Sequence, residues 1–334
     1  MRLKRVLRTI GLILLVLLLI FFIVPLIIPL PTVGADPSQL ADDDGRFIIV
    51  DGLETYIRES GEPAGEPIIL LHGWGASTVS WNATIPALAE AGYRVIAFDR
   101  PPYGLSAKVG DDLPLSITDQ AHFTIALMDA LNIEQAALIG HSMGGGVIAY
   151  AAVLYPERIN RLVFVDGAVR VVENDAIGAQ GSPFLSSLVN FYAVEWWARL
   201  GMRAFLRPDS FAGFQRTAYY DQAAVSAETI ANYGRALQVE DWDQAILDVF
   251  FRDPSQDTPL TGDQLRAVTI PSLIMWGEND SWVPPGIGVT LHDLLPVNTY
   301  ITYPQVGHLP MEEVPAQFNA DLLTFLESTA QMPQ

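Results

Sequence analysis

The chain has 334 residues, half of them hydrophobic and 17 % charged, enough for one large α/β domain with an insertion or for two modest domains. Arg2, Lys4, Arg5 and Arg8 crowd the first nine positions, which leaves 15 basic against 38 acidic side chains, a balance of −23. That surface repels phosphate backbones and argues against nucleic acid as a partner. The absence of cysteine removes disulfides, thiol nucleophiles and thiolate metal sites. His72, His122, His141, His292 and His308 show no HExxH or other close ligand pair, so neither a metal nor a cofactor is expected.

Residues 10–30, IGLILLVLLLIFFIVPLIIPL, form an uncharged apolar run behind the basic cluster. About 20 such residues cross the hydrocarbon core as a helix, so residues 1–31 are expected to be a membrane anchor whose lipid contact is residues 10–30. Pro25 and Pro29 bend such a helix near its outer end without forbidding it. The basic flank places the N-terminus in the cytoplasm and the rest of the chain outside, as a single-pass protein. A signal peptide cleaved before Asp36, followed by secretion, is the alternative, although its apolar region usually runs to only about 7–15 residues. Residues 32–46, PTVGADPSQLADDDG, are polar and rich in breakers, and read as a linker.

Strands and helices alternate from there. FIIVDG (47–52) and TYIRESG (55–61) read as paired strands around an Asp51-Gly52 turn. PIILLHG, RVIAFDR, AALIGHS, RLVFVDG and SLIMWGEND are short apolar runs ending in turn residues, which suits strands buried on both faces. Helical stretches separate them, so the fold class is α/β with a mostly parallel central sheet flanked by helices. The alternation stops between about 171 and 265, where aromatics including Phe184, Trp196, Phe211 and Phe214 mark a helical insertion. The division is therefore a core in two parts, 47–170 and 266–334, around a cap at 171–265.

Gly140-His141-Ser142-Met143-Gly144 matches G-x-S-x-G, in which a sharp strand-to-helix turn lifts the serine hydroxyl clear of the backbone. Serine needs a base to take its proton, and His308 in YPQVGHLP is the best-placed candidate. Asp280, closing SLIMWGEND, can orient that imidazole; Asp166 also ends a strand and is the competing acid. The backbone N–H groups of Trp74 and Met143 are candidate oxyanion donors. Trp74, Trp282 and Trp196 are candidate substrate contacts, although cap aromatics more often pack helices together.

With these residues in view, the chain from about 46 to 330 resembles the α/β-hydrolase superfamily. His72-Gly73-Trp74-Gly75 is similar to that family's oxyanion loop, and Asp99-Arg100-Pro101-Pro102-Tyr103-Gly104-Leu105-Ser106 to its D-x-P-G-x-G-x-S loop, with Pro102 where glycine is usual. Trp276-Gly277-Glu278-Asn279-Asp280 and Gly307-His308 fit its acid and base segments, and the order Ser, Asp, His is the one that the fold uses. The resemblance implies a serine hydrolase, with carboxylic esters of apolar small molecules as the leading substrate class. A cofactor-free perhydrolase or haloperoxidase, or a C–C hydrolase, on the same triad is the related alternative. Ser142 in place of aspartate argues against haloalkane dehalogenases and soluble epoxide hydrolases.

Two readings from other classes are weighed beside this one. A ligand-binding receptor could keep the fold while turning over slowly, and the complete triad argues against it. A nucleotide-binding protein would need G-x-G-x-x-G, which the glycine spacing after the strand fails. His72 is expected to brace the oxyanion loop, and His141 to point away from Ser142 across the turn.

Overall fold

The computed structural model describes residues 2–110, 112–172, 191–251 and 258–329. β1 (Gly45–Val50) and β2 (Leu53–Gly61) form an antiparallel hairpin turned at Asp51 and Gly52, both at positive φ. Next come β3 (Pro67–Leu71), β4 (Arg94–Phe98), β5 (Ala136–His141) and β6 (Ile159–Val165). Two short strands, β7 (Val171–Val172) and β8 (Leu260–Thr261), precede β9 (Ser272–Gly277) and β10 (Asn298–Tyr303). Among the described residues the main sheet has eight strands in the order β1-β2-β4-β3-β5-β6-β9-β10. Every pairing from β4 to β10 is parallel, and β2 alone runs against the other strands, antiparallel to both β1 and β4.

The apolar runs bury both faces of this sheet by simple alternation. Ile69, Leu71, Ile96, Phe98, Leu138, Leu162, Phe164, Ile274 and Trp276 point to one side. There they meet α3 (Ile117–Ala130) and α4 (Met143–Leu154). Ile68, Leu70, Val95, Ala97, Ile139, Val163, Leu273 and Met275 point to the other, against α2 (Thr84–Glu90) and a C-terminal helix, Pro315–Thr329. Helix α3 starts where Ser116 and Asp119 cap each other's backbone N–H groups. The chain leaves β3 first toward β4 and later returns to its other side as β5. Such a reversal opens a crevice beyond the strand ends, where open α/β sheets bind ligands.

The insertion leaves the sheet after β6, and β7 pairs with β8 across its base. Its described helices are α5 (Tyr192–Phe205), α6 (Pro208–Gln215), α7 (Ala227–Gly234) and α8 (Trp242–Phe251). Residues 173–190, with Phe184, and 252–257 belong to the expected cap but lie outside the described residues. α5 and α8 are joined by a fully buried carboxylate, Asp243, which accepts from Arg199 Nε at 2.8 Å and Arg203 Nε at 2.7 Å. Burial alone would raise this carboxyl; the two guanidinium groups reverse that and hold it below the usual range.

Helix α1 (Arg2–Ile27) is long and apolar enough to cross a membrane, and its apolar side chains are largely exposed. The polar segment after it is no free linker. Ala35 pairs with Val239 of the insertion, Asp42 forms a salt bridge with Arg235, and Tyr56 Oη donates to Asp42. These partners lie far along the chain, so a local composition reading saw only the breakers.

Asp243→Ala should cost about 3–5 kcal/mol, because it strips Arg203 of its only ion-pair partner among the described residues and leaves Arg199 with the more exposed Asp241 and Glu195. Urea unfolding of the variant against the wild type measures this, and a loss under about 1 kcal/mol would mean that the pair is solvated.

Candidate active site

Ser142 stands between the last residue of β5 and the first of α4, with φ 51° and ψ −119°. This left-handed conformation strains a residue with a side chain, and such strain collects at functional sites. Its neighbours show why the turn closes only with glycine around it. A Cβ at Gly140 would lie 2.4 Å from Gly144 O, and one at Gly144 would lie 2.4 Å from Leu71 O. The Ser142 carbonyl is fixed by Gly145 N at 2.9 Å and Ala168 N at 2.8 Å.

His308 Nδ1 lies 2.6 Å from Asp280 Oδ2, both side chains being buried. A ring nitrogen facing a carboxylate carries the proton, which leaves Nε2 with its lone pair. The other oxygen of Asp280 accepts from Trp282 N at 2.7 Å and Val283 N at 2.9 Å, so the carboxylate has no rotational freedom. His308 is placed through its backbone as well. Its N–H donates to Ala218 O in the insertion, and Glu313 accepts from Gly307 N and Leu309 N. Ser142 and His308 line one cavity of about 180 Å³, together with Gly73, Trp74, His141, Tyr233 and Trp282. Their side chains are not hydrogen-bonded to each other. Catalytic contacts of this kind often tighten only when substrate is bound.

The loop after β3 is held from behind. Gly73 O accepts from His72 Nδ1 at 2.8 Å and from Arg100 Nη2 at 3.3 Å, and His72 O accepts from Arg100 Nη2 at 2.7 Å. In a trans peptide the N–H points opposite to the C=O, so pinning Gly73 O aims the Trp74 N–H the other way. Trp74 lines the cavity, and its backbone N–H has no partner among the described residues. The Met143 N–H, at the positive end of α4, is likewise unpaired there. His72 accepts from Arg100 N through Nε2, which meets the expectation that it braces this loop.

Asp166 does not touch the imidazole by hydrogen bond. Its Oδ1 accepts from Gly277 N at 3.0 Å, where β6 lies beside β9. Burial and the charge of Asp280 push its carboxyl well above the ordinary value. Asp166, Asp280 and His308 do bring three ligand-capable atoms within 4.8 Å of one another. Two of the three are spent on the short Asp280–His308 contact, which suits proton sharing better than a cation.

Two expectations need correction. Trp196 lines neither cavity; it is buried against the N-terminal segment, where its Nε1 donates to Ile28 O at 2.9 Å. The bulk of an indole is worth more there, between two helices, than at a solvent-filled pocket. His141 does not turn away from Ser142. It lines the cavity, its ring centroid lies 4.7 Å from that of His308, and its Nε2 donates to His308 O at 2.8 Å. Burial and the nearby His308 hold its pKa well below the usual histidine value, so it stays a neutral donor. Only the tertiary approach of the two loops reveals this role, since a histidine beside an elbow serine carries no such signal. Trp282 does reach the site, 5.5 Å from the His308 ring, with the Phe214 ring tilted against it at 4.8 Å.

A second cavity of about 360 Å³ adjoins the first, sharing Trp74, Ala76 and Phe214 as walls. Its lining is aromatic and aliphatic, chiefly Phe211, Trp242, Ile246, Val249 and Phe250 from the insertion. The one cation on it among the described residues, Lys108, is spent on three backbone carbonyls, those of Tyr103, Gly104 and Ser106. Burial lowers its pKa to about 7.

A parallel sheet with a strained serine after β5 and an Asp-His pair at the ends of later strands defines a hydrolase architecture. The chain belongs to the alpha/beta hydrolase fold family, whose profile matches residues 66–315. It is 29 % identical over 284 residues to the uncharacterized hydrolase YugF of Bacillus subtilis, covering 84 % of this chain and 97 % of that one. It is 28 % identical to a 2-hydroxy-6-oxononadienedioate/2-hydroxy-6-oxononatrienedioate hydrolase of Paraburkholderia phymatum, covering 84 % and 93 %. Among solved structures, a membrane phospholipase A described as a bacterial virulence factor superposes with a TM-score of 0.69 at 23 % identity. That match covers 98 % of this chain and all of the other.

Asp280→Asn should lower turnover by on the order of 10⁴, because an amide favours the wrong imidazole tautomer. Asp166→Asn should cost far less, since it keeps an acceptor for Gly277 N. Both variants are compared on one ester at one pH, with thermal melts as the folding control; a larger loss at Asp166 would move the acid to that strand.

Proposed function

We propose that this chain is a membrane-tethered serine hydrolase that cleaves carboxylic esters with apolar acyl or alcohol groups. The observation that carries this reading is the strained Ser142 sharing one cavity with the Asp280–His308 pair. Ser142 Oγ attacks the ester carbonyl as His308 Nε2 takes its proton, while Asp280 stabilises the imidazolium at Nδ1. Charge developing on the carbonyl oxygen is met by the N–H groups of Trp74 and Met143. The ester C–O bond breaks, the alcohol leaves with the proton from His308, and the acyl group stays on Ser142. Water, deprotonated by the same nitrogen, then releases the acid.

The C–C hydrolase alternative has support in the name of the Paraburkholderia relative. A dienedioate substrate carries two carboxylates, however, and the cavity walls hold no uncommitted cation among the described residues. An uncharged or apolar ester suits this lining better. The phospholipase name of the full-length structural neighbour agrees with ester cleavage at a membrane.

Ser142→Ala should lose covalent labelling by a fluorophosphonate and about 10⁶ in turnover on medium-chain esters. Retention of a tenth of wild-type activity would sink the nucleophile assignment, and failure of the wild type to turn over any ester would favour a ligand receptor. For location, we take α1 as a single span with its basic end in the cytoplasm and the hydrolase domain outside. Protease added to spheroplasts should then remove the domain; a soluble mature protein beginning near Asp36 would show a cleaved signal instead.

A further inference from the structure

Two prolines leave holes in the hydrogen-bond ladder of the N-terminal segment. Pro25 has no N–H for the carbonyl of Phe21, and Pro29 has none for the carbonyl of Pro25. Both carbonyls are taken up by side chains of α5: Trp197 Nε1 donates to Phe21 O at 3.0 Å, and Tyr192 Oη donates to Pro25 O at 3.0 Å. The same helix reaches two further carbonyls beyond the end of α1. Trp196 Nε1 donates to Ile28 O at 2.9 Å, and Arg203 Nη1 donates to Pro31 O at 2.6 Å. Ring contacts run alongside, with Trp197 stacked on Phe21 at 6.2 Å and Phe191 edge-on to Phe22 at 5.6 Å.

A carbonyl orphaned in water needs no such partner, because water supplies one. In hydrocarbon an unpaired carbonyl costs several kcal/mol, and neighbouring protein must satisfy it. At 1.5 Å per residue, Phe21 lies about 9 Å inside the Ile27 end of α1, within the apolar run. With the Ile27 end of α1 at the membrane surface, a helix bonded at that depth would sit in the boundary between headgroups and acyl chains. Its composition fits: tryptophan and tyrosine are the residues that settle at this level. Of its other large side chains, Phe205 is 83 % exposed and Leu200 is also open.

The large apolar cavity begins where α5 ends. Leu206, directly after Phe205, is part of its wall, and Phe250 on the same wall is 61 % exposed. Trp74 and Phe214 then connect this space to the cavity of Ser142. We infer that α5 is seated in the leaflet at the C-terminal end of α1, and that the substrate is a long-chain acyl ester resident there, a glycerophospholipid. Its acyl chain passes from the bilayer into the 360 Å³ cavity, and its ester carbonyl stops at Ser142. This rests on the serine hydrolase reading above and narrows its substrate. The bond balance is unchanged: Ser142 takes the acyl group, the lysolipid alcohol leaves with the proton from His308, and water frees the fatty acid.

The test uses the full chain reconstituted in vesicles of phosphatidylcholine and phosphatidylglycerol, with fatty-acid release followed beside hydrolysis of a soluble butyrate ester. Wild type should act on both. Phe205→Glu, on the uncovered face, and Trp197→Phe, which deletes the N–H but keeps the ring, should lower lipid release at least tenfold. Both should keep butyrate turnover within twofold. Quenching of tryptophan emission by lipids brominated near the headgroup should be strong in wild type and weaker in Trp197→Phe. Butyrate turnover with no release of fatty acid by wild type, equal losses on both substrates, or unchanged lipid release in both variants would each overturn the inference and leave the hydrolase standing. Absence of both activities together with absence of fluorophosphonate labelling would instead bring down the serine hydrolase reading itself.

Discussion

Everything at this site is placed relative to one strained turn. The chain must pass from β5 to α4 within a single residue, and Ser142 takes positive φ to do so. The space for that turn exists only because Gly140 and Gly144 lack side chains that would meet backbone within 2.4 Å. Since β5 lies beside β3 in the sheet, the loop after β3 arrives next to the serine, and Arg100 and His72 hold that loop by its carbonyls. The strain is maintained by a sheet buried on both faces, which has no softer way to end that strand.

Charge at the site is arranged by burial as much as by pairing. Two carboxyl groups, Asp166 and Asp280, lie close to one imidazole in a place closed to water. They cannot both ionise cheaply. Asp280 receives two backbone N–H groups and the imidazole, whereas Asp166 receives one N–H and, buried beside Asp280, has its pKa raised. The environments thus separate two chemically identical groups into one that faces the imidazole and one that bridges strands. His141 adds a second restraint on His308, acting on its backbone rather than its ring.

The insertion joins this candidate site to the N-terminal helix. Its helix α5 bonds to α1 on one side and to Asp243 of α8 on the other, and α8 supplies much of the large cavity wall. The segment 32–46 reinforces the same connection through Ala35 and Asp42. The N-terminal helix, the insertion and the cavity are therefore one connected unit, so the orientation of α1 governs how the cavity meets its surroundings.

Local pattern determined much of this protein from its sequence alone. The apolar runs located strands β3 to β6 and β9, because burial on both faces demands continuous hydrophobic stretches, and the Asp51-Gly52 turn located the β1–β2 hairpin. G-x-S-x-G, the strand-end Asp280 and the loop residue His308 were legible because their chemistry depends on residue type at ends of elements that pattern already locates. The long apolar run was legible as a helix able to cross a membrane for the same reason. Tertiary structure alone decided what depends on approach between distant segments. It set Asp280 rather than Asp166 against the imidazole, brought His141 onto His308, and moved Trp196 from the pocket to a carbonyl near the end of α1. It also turned a breaker-rich linker into a docked strap. In each case the deciding partner lies dozens of residues or more away, and no periodicity within one segment records which hydrogen-bonding group will stand opposite it once the sheet is assembled.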